Sequence, residues 1–261
     1  MAYLIGIDVG TSSTKAILIN DSGQVIKTVA PEYDFHTPKP LWAESNPLDW
    51  WTATIAAIKS LLDDIDASKI VGLGLTGQMH GLVCLDKDGE VLRPCIMWND
   101  QRTADQCREM TARIGDDDVI AITGNPILPG FTAPKLRWIE ENEPEVYSRI
   151  DKILLPKDYI RYKLSGEFFT DVSDASGTSL LDVQQRRWAH YILNEFKWPM
   201  SWLPEVTEST EATTRISSDA ATVTGLPSGL PIIAGGGDQA AQAVGCGIVR
   251  EGIISTTLGT S

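Results

Sequence analysis

Two aspartates stand where the chain changes character, and both could do chemistry. Asp238 lies in GGGDQAAQAVG (235–245), behind three glycines and ahead of an Ala/Val run of helical character. An aspartate there can cap the helix and satisfy its unpaired N–H groups. Alternatively, the glycines clear room for a substrate in front of a carboxylate that takes up a proton. Asp8 ends the apolar stretch YLIGID and begins DVGTSSTK (8–15). Hydroxyls of Thr11, Ser12 and Ser13, with turn N–H groups, can cradle phosphate oxygens; Asp8 can hold a magnesium ion through water, and Lys15 adds a cation. An ordinary hairpin turn in which Asp8 bonds to backbone explains the same residues about equally well. A second Gly-Thr-Ser at 259–261, again after a strand-like run, favours the phosphate reading. Two such hairpins face to face would clamp a triphosphate, with Gly259 and Thr260 in the second.

Other candidates are weaker. GLGLTG (72–77) matches G-x-G-x-x-G, but a dinucleotide fingerprint needs its glycines after a strand and at the opening of a helix. Here they alternate with Val71, Leu73 and Leu75 inside a strand pattern, so they are expected to permit close packing. His80 follows that strand with Gln78 and Met79, flanked by Gly77 and Gly81, where a ligand could approach. A structural histidine is the competing reading. MWNDQR (97–102) ends a strand in Trp98, Asn99, Asp100 and Arg102, and a helix cap followed by a solvated turn explains it without a ligand. No Ser-His-Asp set is legible, and the eight tryptophans lack the interleaved basic residues of a nucleic-acid platform.

The elements that would position these residues alternate between strand and helix. YLIGID, KAILIN and QVIKTVA read as three short strands of an antiparallel meander, joined by VGTSST and the turn NDSG. NPLDWWTATIAAIKSLLDDI has a helix start at Asn46-Pro47 and apolar residues at helical spacing. KIVGLGLTG is a buried strand, and GLVCLDKDGEVLRPCIMW a hairpin around Lys87-Asp88-Gly89. Helices follow at 101–115, 132–150, 156–166 and 189–196, with a small strand-turn segment at 176–188. Residues 201–230, rich in Ser, Thr and Pro, read as surface connection. LPIIAGGGDQAAQAVGCG reads as strand, loop and helix, and GIISTTLGTS as a last strand. The pattern predicts an α/β fold with a mixed sheet flanked by helices.

Composition bounds the partners. The 261 residues are 43% hydrophobic and carry a net charge of -13, which argues against binding nucleic acid or an anionic membrane surface. Cys84, Cys95, Cys107 and Cys246 form no C-x-x-C pair, no signal peptide opens the chain, and no apolar run reaches membrane-spanning length. A cytoplasmic protein with free thiols is the expectation.

Several co-linear motifs give the chain a family resemblance. IGIDVGTSSTK resembles the first phosphate loop of the FGGY carbohydrate kinases, within the sugar kinase/Hsp70/actin superfamily. GFTAPKLRWIEEN (130–142) fits a signature of that family, with Thr132, Lys135, Trp138 and Asn142 in register. LLPKDYIRYKLSGEF and TDVSDASGTSLLDV are similar to the blocks that follow it, and AGGGDQAAQAVG resembles its catalytic-aspartate motif. The resemblance implies an actin-like, ribonuclease H-like ATPase domain. Residues 1–245 would form an N-terminal sugar-binding domain and 246–261 the start of a C-terminal ATP-binding domain. It implies ATP and Mg2+ as cofactors, with Asp8 holding hydrated magnesium and Thr11, Ser12, Ser13, Lys15, Gly259 and Thr260 at the phosphates. Asp238 would accept the proton of a sugar hydroxyl, and Gln78, Met79, His80 and Asp238 would line the sugar site. GQMHGLVCLD, WND-R and PGFTAPKL point within the family to D-xylulose, with another pentulose, glycerol or gluconate as alternatives. A non-catalytic sugar-binding domain is the alternative from a different class, and a homodimer is compatible with the resemblance. The last residues end just past a strand-to-turn pattern, which reads as a cut.

Overall fold

A computed structural model describes residues 1–254 and 256. The predicted meander is present: β1 (Tyr3–Val9), β2 (Thr14–Asn20) and β3 (Val25–Val29) pair antiparallel in sequence. A short β4 (Glu44–Ser45) leads to α1 (Pro47–Leu62), whose first turn is capped by Asn46 accepting from Leu48 N–H. β5 (Ile70–Gly77) then returns beside β1, parallel to it. The chain continues through β6 (Val83–Leu85), β7 (Cys95–Ile96), α2 (Ala104–Ile114), α3 (Asp116–Thr123), α4 (Thr132–Asn142), α5 (Pro144–Tyr147) and β8 (Lys152–Leu154). Next come α6 (Pro156–Ser165), β9 (Phe169–Asp171), α7 (Val172–Ala175), β10 (Leu181–Asp182), β11 (Arg187–Trp188) and α8 (His190–Phe196). β12 (Glu205–Thr207), β13 (Ala212–Arg215), α9 (Ser218–Thr224), β14 (Pro231–Gly237) and α10 (Asp238–Gly245) complete the described elements.

The central sheet has six strands in the order β13-β14-β5-β1-β2-β3, so the expected mixed sheet is present. Period-two alternation along its strands separates two faces. Ile5, Ile7, Val9, Ala16, Leu18, Leu73, Leu75 and Ile232 turn to a buried core with Trp50, Ile58 and Leu61 of α1 and Tyr159, Ile160 and Leu164 of α6. The opposite face carries Gly6, Asp8, Lys15, Ile17, Gly74 and Thr76 and lines a cavity of about 690 Å³, closed on one side by Ala240, Ala241 and Val244 of α10. A second apolar core, with Leu82, Cys84, Met110, Leu136, Ile153 and Phe196, forms among α2, α4, α8, β6 and β8.

Three expectations need correction. The helix expected over 132–150 stops at Asn142 and restarts at Pro144, because proline has no N–H to donate and its ring obstructs the preceding turn. Residues 201–230 are not surface connection: β13 is an edge strand of the central sheet, and Ile216, Leu226 and Leu230 are buried in its core. The hairpin around Lys87-Asp88-Gly89 is present, with Gly89 N–H donating to the Asp86 carbonyl, Asp86 N–H to the Glu90 carbonyl and Leu92 N–H to the Cys84 carbonyl, while the other edge of β6 pairs with the unanticipated β8. The strand expected over 252–261 is absent at 252–254, and its remainder, including Gly259 and Thr260, lies largely outside the described residues. No helix among the described residues is long and apolar enough to cross a membrane.

Candidate active site

Asp8 sits near the C-terminal end of β1, in register with Lys15 on β2 and Thr76 on β5, so its half-buried side chain shares the cavity face with both. The turn that follows is tied down from three directions. Gly10 N–H donates to the Ser13 carbonyl at 3.0 Å, while the Gly10 carbonyl accepts from Tyr33 Oη at 2.8 Å and Gln78 Nε2 at 3.0 Å. Trp98 Nε1 donates to Thr11 Oγ1 at 3.0 Å. Ser12 is exposed and Ser13 half-buried. Gln78, expected at the sugar, is buried and turned to the loop carbonyl, and its Oε1 has no partner among the described residues.

β14 runs straight through the three glycines into α10, so the loop expected between strand and helix is absent. Gly237 holds the N-cap position and Asp238 is the first helical residue, so Asp238 is not itself the cap, although its carboxyl is hydrogen-bonded at Gln239. Part of the space the glycines clear is filled by protein. A Cβ at Gly235, whose φ is +75°, would run into the Leu75 carbonyl; at Gly236 it would come within 3.0 Å of Ser173 Oγ; at Gly237 it would meet Met79 Sδ at 2.8 Å. Close packing of Ser173 and Met79 against the strand therefore requires Gly236 and Gly237, while Gly235 and Gly236 also line the cavity beside Asp8.

The Asp238 carboxyl is raised from its ordinary value by burial, against hydrogen bonding at Gln239. Asp8 is raised too, by burial first and then by the charge of Asp238, with Lys15 opposing. Asp8 is thus within electrostatic reach of Asp238, and a cation near it would favour its ionised form. Among the described residues no three Asp, Glu, His or Cys side chains converge as a metal cage. An ion that keeps most of its waters, such as magnesium, would need only one or two carboxylates together with phosphate oxygens.

Behind Asp238 lies a buried charge cluster that the sequence reading missed. Gly237 N–H donates to Ser173 Oγ at 3.2 Å, and Ser173 Oγ donates to Asp171 Oδ2 at 2.5 Å. Ser209 Oγ donates to the same oxygen at 2.7 Å. Lys157 Nζ reaches Asp158 at 2.6 Å, Asp171 at 3.0 Å and Asp174 at 3.4 Å, with all four side chains 0% exposed. Both Asp174 oxygens lack hydrogen-bond partners among the described residues. Asp174 is raised well above the ordinary carboxylate value by its burial, despite Lys157.

Met79 and His80 form the other wall. His80 has φ +69°, a left-handed conformation uncommon for a residue with a side chain. Its Nδ1 lies 2.6 Å from the Gly177 carbonyl, its ring stacks on Phe131 at 4.5 Å, and its own carbonyl accepts from Lys135 Nζ at 2.8 Å and Thr132 Oγ1 at 3.1 Å. Burial, then the neighbouring Lys135, push the His80 pKa down to about 4 against the Gly177 bond, so the ring is neutral at pH 7. Met79 joins the two walls, since Cβ atoms built at Gly237 and Gly177 would both meet its side chain.

The WND-R segment is mainly structural. Asp100 accepts from Ala43 N–H at 2.6 Å and pairs with Arg102, which also reaches Glu44 at 2.8 Å and lies 3.5 Å over the Trp42 ring. Trp98 is the exception, because its indole holds the Thr11 hydroxyl.

The mixed sheet thus carries a carboxylate and a hydroxyl-rich turn at one strand end, with a second carboxylate in electrostatic reach of the first at the start of α10. The chain belongs to the FGGY family of carbohydrate kinases, whose N-terminal-domain model matches residues 3–245. It is 44% identical over 257 residues to the xylulose kinase of Escherichia coli strain K12, covering 98% of this chain and 52% of that protein. The xylulose kinase of Lactococcus lactis subsp. lactis is 41% identical over 263 residues, covering 100% of this chain and 52% of that protein. Among solved structures, the xylulose kinase of Rhodospirillum rubrum superposes with a TM-score of 0.92 at 32% identity, over 96% of this chain and 52% of that one. The fold is thus the α/β, actin-like fold of these sugar kinases. The chain spans about half the length of the curated relatives it matches.

Proposed function

We propose that this chain is the sugar-binding half of an ATP-dependent kinase that converts D-xylulose to D-xylulose 5-phosphate, with residues 1–245 as the sugar domain and 246–261 opening the ATP-binding domain. The observation that carries this reading is the pairing of Asp238, at a helix start and in electrostatic contact with Asp8, with a neutral His80 across Met79. Relatives named xylulose kinase that align over nearly the whole chain support the substrate.

In this mechanism the sugar lies between His80 and Asp238. Asp238 accepts the proton of the 5-hydroxyl as that oxygen attacks the γ-phosphorus and ADP departs. The start of α10 favours the ionised carboxylate, while burial keeps it basic enough to take a proton. Thr11, Ser12 and Ser13 hold phosphate oxygens by hydroxyl and turn N–H groups, with Lys15 as a nearby cation. Gly259 and Thr260 would act from the opposite loop. Asp8 would hold hydrated Mg2+, which when bound neutralises charge on the phosphates. Titration of D-xylulose into this chain tests the sugar site: saturable binding weakened by His80→Ala supports it, and no binding contradicts it. This chain alone should turn over little ATP, because closure of two domains normally excludes water from such chemistry.

A further inference from the structure

We propose that Lys135, Thr132 and the Gly177 carbonyl are positioning groups that hold His80 in one backbone conformation and one tautomer, so that its Nε2 meets the ligand as a hydrogen-bond acceptor. The inference rests on the sugar-site reading above and adds what that site selects: a hydroxyl that donates, rather than a carboxylate that can only accept.

A left-handed φ at a residue bearing a side chain persists only where its surroundings over-determine it. The first turn of α4 does this for His80. Lys135 is 0% exposed and no salt bridge to it exists among the described residues; its Nζ instead joins the carbonyls of His80 and Gly130, the latter at 2.6 Å. Burying an amine without a counter-ion carries a desolvation cost that a methionine of similar size would avoid. What a methionine could not do is bridge two buried carbonyls and keep the His80 peptide turned over.

The ring is then specified by its partners. A carbonyl only accepts, so the 2.6 Å contact with Gly177 requires the proton on Nδ1. In a neutral ring that leaves Nε2 with its lone pair, and Nε2 has no hydrogen bond among the described residues. Phe131, stacked at 18° to the ring plane, opposes a ring flip. Gly177 must be glycine for the contact to exist, since a Cβ there would lie 2.5 Å from His80 Cε1 and 2.6 Å from Nδ1. A neutral polyol or ketose offers hydroxyl protons to such an acceptor. A sugar acid placing its carboxylate there would set lone pair against lone pair.

Nitrogen-15 NMR of the three histidines, with His80 assigned through a His80→Asn variant, reads the tautomer directly. Titrations with D-xylulose and with gluconate read the selectivity. The expected result is a neutral Nδ1–H tautomer at pH 7, with D-xylulose bound at least about tenfold more tightly than gluconate. Lys135→Met should mix the tautomers and weaken D-xylulose about tenfold. Gly177→Ala should do the same by pushing the ring off the carbonyl, and it serves where Lys135→Met does not fold. An Nε2–H tautomer in the unaltered chain would overturn the inference, as would folded variants whose His80 signals and sugar affinity are unchanged. If no sugar binds but the Nδ1–H tautomer and its dependence on Lys135 hold, the positioning stands and the sugar reading fails.

Discussion

Lys135 and Lys157 are both fully buried within one small domain, yet their surroundings drive them in opposite directions. Burial alone would lower either ammonium. At Lys157, Asp158, Asp174 and Asp171 outweigh it and hold the pKa above the ordinary lysine value. At Lys135 no acid is close enough to compensate, and the pKa falls to about 7. Partners, not depth, decide whether a buried lysine is an ion. The consequence is functional on both sides of the cleft. Lys157 anchors a charge-compensated post that reaches the Gly237 peptide, one residue before Asp238, through Asp171 and Ser173. Lys135 near neutrality still donates hydrogen bonds, so its grip on His80 does not require a charge.

Removing each lysine should separate the two roles. Lys157→Met leaves Asp158, Asp171 and Asp174 with only Arg161, 3.9 Å from Asp158, as a buried cation, and loss of one partner from a buried ionic cluster costs about 3–5 kcal/mol. Urea unfolding measures it. Lys135→Met removes no ion pair and should cost about 1–3 kcal/mol, the range for orphaned buried hydrogen-bonding groups. Equal losses in the two variants would break the contrast.

The pH dependence sharpens it. Because Lys135 is depressed to about 7 in the folded chain from 10.5, the unfolded chain binds more protons between those values, and stability rises with pH across that window. Lys157 is raised, so its contribution is complete below 10.5 and is lost only as pH climbs past its folded value. Cys84 and Cys95, pushed up to about 12 by burial, begin to lower stability above 9.0. Between pH 7 and about 8.5, the unfolding free energy should therefore climb by roughly 1 kcal/mol per pH unit in the unaltered chain and stay flat in Lys135→Met. At lower pH, His80 at about 4 against 6.5 unfolded predicts stability falling as pH drops through that interval, a fall His80→Asn should reduce.

The smallest expected effect concerns the link to Asp238. Ser173→Ala removes the acceptor of the Gly237 N–H and one donor to Asp171. It should cost about 1 kcal/mol of stability, and in the intact kinase it should lower kcat with little change in the KM for sugar. Ser173→Thr, which keeps the hydroxyl, should restore much of the loss.

Local pattern carried the sheet and both aspartates into view. The meander follows from period-two alternation, and α10 from an Ala/Val run after glycine. The buried cluster was not legible, because PKDY and TDVSDA meet only through the packing of α6 against β9. Neither segment alone distinguishes a buried lysine from a surface one. Residues 201–230 misled by composition, although Ser217 as N-cap and Gly225 as left-handed C-cap bracket α9 and could have revealed it. The glycines before Asp238 were legible as cleared space. What fills that space, Met79 and Ser173 from distant segments, depends on tertiary contacts.

The central claim is that Asp238 takes the sugar proton, and Asp238→Asn in the intact kinase tests it most directly. The change preserves shape and most hydrogen bonding but removes the proton acceptor. The account predicts a fall in kcat with D-xylulose on the order of 10²–10⁴-fold, with modest change in sugar affinity and melting temperature. A near-normal kcat in a folded Asp238→Asn enzyme would contradict it and assign the proton to another group.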